Sequence, residues 1–310
     1  MSATLVDLPP DPILERRHEI QQRAAQTIGR RTLFSRLFTS ALVAAFLVAL
    51  VPLGSVVYAL LEKGLASISW PFLHTLPQQP SLIAQNDIGG IGNAIVGTLV
   101  IDVLAVVIAI PVAVLVGLYL SETSSRVGNF LRAIVEVMTG LPSILLGVFA
   151  YEYVVIPMKT FSGVAGIVAL SVLMVPVIAK ASELAFRGVP QTLREAGLAL
   201  GARSSRVSRG VILPVAMPGV LTGVLLAAAR AVGETAPILL VVGPTVSNTW
   251  DWNPFHPMSA LPLLTYGYSG SQYASQRAAA WGVALTLVTF VMVLSVASRI
   301  VSARMRRERR

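Results

Sequence analysis

The segment 91–120, IGNAIVGTLVIDVLAVVIAIPVAVLVGLYL, decides the fold of this chain. Asp102 is its only charged side chain. An α-helix rises about 1.5 Å per residue, so about 20 apolar residues are enough to cross the hydrocarbon layer of a membrane. The segment is therefore long enough for one crossing. It is too long and too continuous for the alternating pattern of a barrel strand.

Other apolar runs of comparable length follow the same pattern. The predicted spans are residues 37–61, 91–120, 131–153, 161–186, 215–242 and 278–301. Each span must be helical, because lipid offers the backbone no hydrogen-bonding partner. We therefore predict an all-α integral membrane protein with a six-span transmembrane domain at 37–302, a polar arm at 1–36 and a basic tail at 303–310. Some of the helices should be kinked by prolines within or near the limits of the spans, which are Pro52, Pro111, Pro142, Pro176 and Pro237.

The overall composition agrees with this prediction. Hydrophobic residues make up 55% of the chain and charged residues 13%, whereas soluble domains contain about 25% charged residues. The net charge of +9 comes from basic residues between the apolar runs, which favours a role in topology over nucleic-acid binding. The chain has no cysteine, and its three histidines are too scattered to predict a metal site.

The distribution of arginines predicts the orientation of the chain. Six arginines precede the first predicted span, two (Arg126 and Arg132) lie between the second and third or at the start of the third, five lie between the fourth and fifth, and five end the chain. The loops on the other side contain only Lys63, Lys159 and Arg277. Because basic residues are retained on the cytoplasmic side, we expect both termini and the loop 187–214 to be cytoplasmic.

Two ionisable residues in the fifth predicted span are candidates for function. Arg230 lies about 22 Å along a helix that begins at Val215, and Glu234 follows one turn later. A charge near mid-membrane normally faces a bundle interior or a watery pathway. One interpretation is an ion pair that fixes helix packing. The other is a polar constriction in which the guanidinium binds a tetrahedral oxyanion, and we favour this one.

Asp102 in the second predicted span has two open interpretations, helix packing and proton relay. No P-loop is expected, because that motif needs a Gly-Lys pair and the lysines follow Glu, Met and Ala. We therefore expect no catalytic residue in this chain and no hydrolysis of ATP by it.

The most specific motif lies in the predicted cytoplasmic loop 187–214. It reads EAGLALG at 195–201, followed by nine residues and VILP at 211–214. An amphipathic interfacial loop would be the plain interpretation. The spacing resembles, however, the signature loop of ATP-binding-cassette (ABC) importer permeases, Glu-Ala-Ala, three residues, Gly, nine residues, Ile-x-Leu-Pro. Gly197 replaces the second alanine, and Val211 replaces the isoleucine.

This resemblance implies a type I importer permease in which the loop forms a coupling helix that contacts a separate ATPase. The residues that it assigns to coupling are Glu195, Ala196, Gly197, Gly201, Leu213 and Pro214. Small residues at 196, 197 and 199 would let the ATPase approach closely. Gly201 would supply a turn, and Pro214 would suit the start of the next helix.

A second resemblance concerns the substrate. Residues 230–237, 253–255, 260–262 and 280–281 look like the A-type permease of bacterial phosphate-specific transporters, and the resemblance extends over about 89–297. It implies a pathway that contains Arg230, Glu234 and Thr235, a homologous second permease subunit, two ATPase copies and an external phosphate-binding protein. ATP and Mg would be used by the ATPase, with no cofactor in this chain, and the complex would lie in the bacterial cytoplasmic membrane. A sulfate or molybdate importer and a secondary anion transporter are the alternatives.

Overall fold

A computed structural model describes residues 12–78, 88–243, 249–250 and 252–307. Parts of the predicted arm (1–11) and of the predicted tail (308–310) lie outside the described residues. We number the helices α1 Pro12–Ser67, α2 Trp70–His74, α3 Gly92–Glu122, α4 Arg126–Gly140, α5 Ser143–Met158, α6 Gly163–Arg187, α7 Gln191–Ala199, α8 Ser204–Val232, α9 Ala236–Leu239, α10 Leu261–Ser269 and α11 Ala274–Arg307. The fold is all-α, as predicted; the β pairing in the described ranges is one isolated bridge between Pro77 and Gly89.

The chain divides into two compact units, residues 1–59 and residues 60–310. The described part of the first unit belongs to α1. This helix includes residues of both the predicted arm and the first predicted span. Its apolar side chains, such as Phe38 and Phe46, are exposed, as expected of a helix that faces lipid or a partner rather than its own chain.

The core of the second unit is the packing of α3 along α6. Ala105, Ala109 and Ala113 recur every fourth residue of α3 and are fully buried. One turn later, a Cβ on Gly117 would lie 2.6 Å from the Cβ of Ser182 in α6. Small residues at this spacing form one face of a helix and allow close packing of the two backbones.

Helix α8 packs on α6 in the same way. A Cβ on Gly219 would lie 2.7 Å from the Cβ of Ala185, and Gly223 makes a similarly close approach to Ala181. These two glycines are four residues apart and lie on one face of α8. The G-x-x-x-G pair thus brings α8 against the central helix.

The third predicted span, 131–153, is not one continuous helix. Helices α4 and α5 meet at an angle of 101° at Leu141 and Pro142. Pro142 has no N–H to donate to the carbonyl of Met138, and its ring would collide with that carbonyl in a continuous helix. Within the described ranges, five helices are long and apolar enough to span a membrane, and the bent pair would make a sixth span if it counts as one.

The fifth predicted span, 215–242, is also interrupted. Helix α8 ends at Val232, residues 233–235 are not helical, and the short helix α9 follows. Pro237 cannot donate to the carbonyl of Gly233, and glycine itself disfavours a helix interior. The helix also begins earlier than expected. Pro214 lies inside a continuous helical segment from Ser204, just after a π-helical turn at Ser208–Ile212.

Candidate functional site

The interrupted helices lie against each other. A Cβ on Gly147 of α5 would lie 2.7 Å from the Cα and 2.8 Å from the carbonyl oxygen of Pro237 in α9. Only glycine allows this contact between the two backbones. Interrupted helices at membrane depth are typical of ligand sites, because non-helical backbone is tolerated there only within protein or along a water-filled cavity.

Arg230 lies in the last turn of α8, beside this junction. Its side chain is 57% exposed in the isolated chain. It lines a cavity of about 20 Å³ together with Thr139 and Ser143, the polar residues on either side of the bend between α4 and α5. The apolar side chains Leu173 and Val177 of α6 complete the wall. The cavity is small, with space for about one water molecule. Three of the side chains that line it can form hydrogen bonds.

Glu234 pairs with Arg230 across the end of α8. The Nε of Arg230 lies 3.5 Å from the Oε1 of Glu234, whose side chain is 18% exposed. Glu234 is beyond the helix, where its N–H donates to the carbonyl of Ala231 at 3.0 Å. Among the described residues, the Nη1 and Nη2 groups of Arg230 have no hydrogen-bond partner. The pair therefore leaves most of the guanidinium donors available to a ligand.

Thr235 begins α9 and is half-buried. Its carbonyl accepts a hydrogen bond from the N–H of Leu239 at 3.0 Å. Arg230, Glu234 and Thr235 are thus all at the interruption between α8 and α9.

Asp102 lies near the same interruption, on α3. It is 7% exposed, and its Oδ1 has no hydrogen-bond partner among the described residues. A cavity of about 10 Å³ beside it is lined by Thr98 of α3, Ala231 of α8 and Ile238 of α9. Because no charged side chain lines this cavity, Asp102 does not share in the Arg230 ion pair.

The predicted coupling motif forms helix α7 and the turn after it. The helix ends in a Schellman motif: the N–H of Gly201 donates to the carbonyl of Leu198 at 2.9 Å, and the N–H of Ala202 donates to that of Gly197 at 3.3 Å. Gly201 has a φ of +78°. This left-handed conformation is disfavoured for residues with a Cβ, which explains the glycine.

Gly197 has a role inside the chain. A Cβ there would lie 2.9 Å from Cγ2 and 3.1 Å from Cγ1 of Val207, a buried residue at the start of α8. The absence of a side chain at Gly197 therefore lets α7 pack against α8. Its predicted contact with a partner stays a prediction.

The outer surface of α7 is open. Glu195, Ala196 and Ala199 are exposed, and Leu200 is 89% exposed. Further along the predicted loop, Leu213 is half-buried and Pro214 is exposed. Leu198 is exposed as well, so the end of α7 offers apolar surface for contact with another protein.

Comparison with known proteins identifies the family. Residues 109–307 match the family described as the binding-protein-dependent transport system inner membrane component. The probable phosphate transport system permease protein PstA of Methanocaldococcus jannaschii is 35% identical over 270 residues, which cover 87% of this chain and 94% of that protein. Phosphate transport system permease protein PstA 1 of Mycobacterium tuberculosis is 32% identical over 316 residues, covering 99% and 98%.

The chain belongs to the PstA family of ABC transporter permeases. Its fold agrees with this assignment. A chain in a structure of the MetNI methionine ABC transporter, described as inward facing, is similar to this permease, with a TM-score of 0.52 and 28% sequence identity. The alignment covers 69% of this permease and 94% of the chain in that structure. The chain is thus a multi-pass membrane protein with the fold of an ABC importer permease.

Two ion-pair clusters of the permease were not predicted as functional. Glu122, the last residue of α3, pairs with Arg194 of α7 at 3.1 Å. Glu183 of α6 pairs with Arg132 of α4 at 3.0 Å and with Arg187 at 2.8 Å. The arginine distribution was interpreted only as a topology signal. The positions of the two glutamates could have indicated these clusters, because each carboxylate lies at or near the inner end of a predicted span.

Proposed function

We propose that this permease is the transmembrane subunit of an ATP-driven importer of inorganic phosphate and forms half of its translocation pathway. Membership in the PstA family carries the proposal, because the named relatives are phosphate transport permeases and the alignments cover nearly the whole chain. The chemistry of Arg230 supports it independently. Its side chain is 57% exposed and its Nη groups have no partner among the described residues, and a guanidinium with free donors suits a tetrahedral oxyanion.

We propose that Arg230, Glu234 and Thr235 form a polar section of the translocation pathway, as the sequence suggested. Arg230 binds the oxyanion as it passes the junction of the interrupted helices. Glu234 holds the Nε of Arg230 and limits its attraction for the anion, so that binding remains reversible. Thr235 lies one residue further along the same interruption and completes this polar section.

Coupling to ATP is assigned to the surface of α7. In this proposal Glu195, Ala196 and Leu200 contact the ATPase, Gly201 fixes the end of α7, and Gly197 holds α7 against α8. Leu213 and Pro214 follow in α8 and complete the coupling loop. The permease itself is not catalytic. ATP and Mg are used by the partner ATPase, and no cofactor is required in this chain.

The proposed complex contains a homologous second permease subunit, two ATPase copies and an external phosphate-binding protein. It lies in the bacterial cytoplasmic membrane. Both termini and α7 are cytoplasmic, as the arginine distribution indicates.

Stimulation of ATP hydrolysis tests this proposal. The permease is co-expressed with a second permease and an ATPase, the complex is purified, and hydrolysis is measured with the loaded binding protein. We expect co-purification and stimulation by phosphate but not by sulfate. Equal stimulation by sulfate would favour a general oxyanion importer, and failure to co-purify with any ATPase would favour a secondary transporter.

A further inference from the structure

The inner end of α3 is a meeting point for side chains from four other segments. Glu122, the last residue of the helix, accepts from the Nη1 of Arg194 at 3.1 Å and from the hydroxyl of Ser208. Arg194 lies in the middle of α7, and Ser208 begins the π-helical turn of α8. One carboxylate thus joins α3 to both parts of the coupling loop.

A second carboxylate fixes the same end of α3 to α4 and α6. Glu183 is only 9% exposed and pairs with both Arg132 and Arg187. The two arginines also donate from Nη2 to the carbonyl of Leu120, at 3.0 Å and 3.4 Å. Cations at a helix C-terminus stabilise its free carbonyl groups, so this cluster holds the last turn of α3 firmly.

Helix α7 has few other connections to the membrane helices. None of its residues is buried. It packs against the start of α8, mainly through Gly197 and Val207. Among the described residues, Arg194 with Glu122 is its only ion pair. The position of α7 relative to α3 therefore depends largely on this pair.

Helix α3 leads from this pair toward the Arg230 cavity. It packs along α6 with very little space between the backbones, as the contact of Gly117 with Ser182 shows. Leu173 and Val177 of α6 form a wall of the cavity that contains Arg230. Tightly packed helices move as a unit, so a displacement of α3 also displaces this wall.

We propose that Glu122 is a positioning residue for transport: its bond to Arg194 carries movements of α7, driven by the ATPase, to α3 and α6 and thus to the cavity. This inference rests on the proposed function. It differs from a purely stabilising role in its consequence: loss of the Glu122–Arg194 pair should lower stimulation while the complex still assembles.

Glutamine variants test this role in the assembled complex. Glu122→Gln and Arg194→Gln should each reduce the phosphate stimulation of ATP hydrolysis and the uptake per ATP by about fivefold or more, the lower end of typical coupling between sites. Basal hydrolysis and assembly should persist. Glu136→Gln is the matched control, since Glu136 is an exposed carboxylate on the neighbouring helix α4. Stimulation in Glu122→Gln equal to that in the control would overturn the proposal.

A cysteine pair separates transmission from simple stabilisation. The chain has no cysteine, so Glu122→Cys with Arg194→Cys introduces one defined pair. We expect poor coupling in the reduced protein and recovered coupling after the pair is joined by a short, cleavable thiol reagent. Unchanged, poor stimulation after the two cysteines are joined would make the contact a structural tie and refute the inference. The unmodified complex, measured in parallel, shows whether phosphate import itself fails.

Discussion

Arg230 lies in the last turn of α8 after a stretch, 210–229, that has no charged side chain, and its surroundings determine what it can do. An uncompensated arginine at the bilayer centre costs at least about 2.5 to 3.5 kcal/mol. Glu234 compensates part of this charge through one contact at 3.5 Å. We propose that the remaining guanidinium donors bind a ligand. A variant that removes the charge of Arg230 distinguishes this role from a role in helix packing.

Arg230→Gln should reduce phosphate uptake by at least about tenfold, since each hydrogen bond to a charged group contributes about 1.5 to 3 kcal/mol. The complex should still assemble. Radiolabelled phosphate uptake and pull-down of the ATPase measure the two effects. Arg126→Gln, at an exposed arginine that begins α4, is the control and should transport normally.

Glu234→Gln should be milder than Arg230→Gln, because it leaves the anion-binding side chain in place. We expect assembly to persist and the release of phosphate to slow, which uptake time courses can measure. If the pair were only a clamp between segments, both variants would lose assembly together.

At the scale of elements, the contact between α5 and α9 holds the two interrupted segments together. A Cβ on Gly147 would meet the backbone of Pro237, which cannot move as a flexible side chain would. Gly147→Ala should therefore lower the free energy of unfolding by about 1 to 3 kcal/mol and impair uptake. Gly140→Ala is the control, since a Cβ there meets nothing within 4 Å. Thermal unfolding of the purified complex would reveal the difference, and equal stability of the two variants would contradict the contact.

The end of α7 offers a second test at this scale. Gly201 has open space around it but a φ of +78°, so only backbone strain opposes a side chain. Gly201→Ala should cost about 1 to 2 kcal/mol and weaken phosphate-stimulated ATP hydrolysis. Gly201→Asn should be tolerated better, because asparagine adopts this conformation more readily. Equal effects of the two substitutions on hydrolysis would argue against a role for the turn.

The sequence predicted the elements better than their arrangement. Five prolines predicted kinks, because the missing N–H is a local property. Helices are interrupted at Pro142 and next to Pro237, whereas Pro52, Pro111 and Pro176 lie inside α1, α3 and α6. The angle of 101° at Pro142 was not predictable, since α5 also packs against α9, nearly a hundred residues away in sequence. Glu122 and Arg194 are 72 residues apart, and no periodicity connects them. The motif at 195–201 located α7, but only the structure shows Gly197 against Val207.

At the scale of the whole molecule, orientation in the membrane is the first prediction to test. Ser205 is exposed near the start of α8, and the native chain has no cysteine to interfere. In the proposed topology, Ser205→Cys should react with an impermeant thiol reagent in inverted vesicles but not in intact cells. Ser162→Cys would be a poor control, because that side chain is buried. Lys159→Cys, in an exposed position of the opposite loop, should show the reverse pattern.

Transport by the reconstituted complex tests the central claim most directly. Proteoliposomes that contain this permease, its second permease subunit and the ATPase are supplied with the external binding protein and with ATP on the ATPase side. We predict that phosphate moves, in an ATP-dependent manner, from the side with the binding protein to the side with the ATPase and accumulates there. Sulfate should accumulate much less, and the Arg230→Gln complex should accumulate almost no phosphate. Accumulation that is independent of ATP, or that is the same for Arg230→Gln as for the native complex, would contradict it.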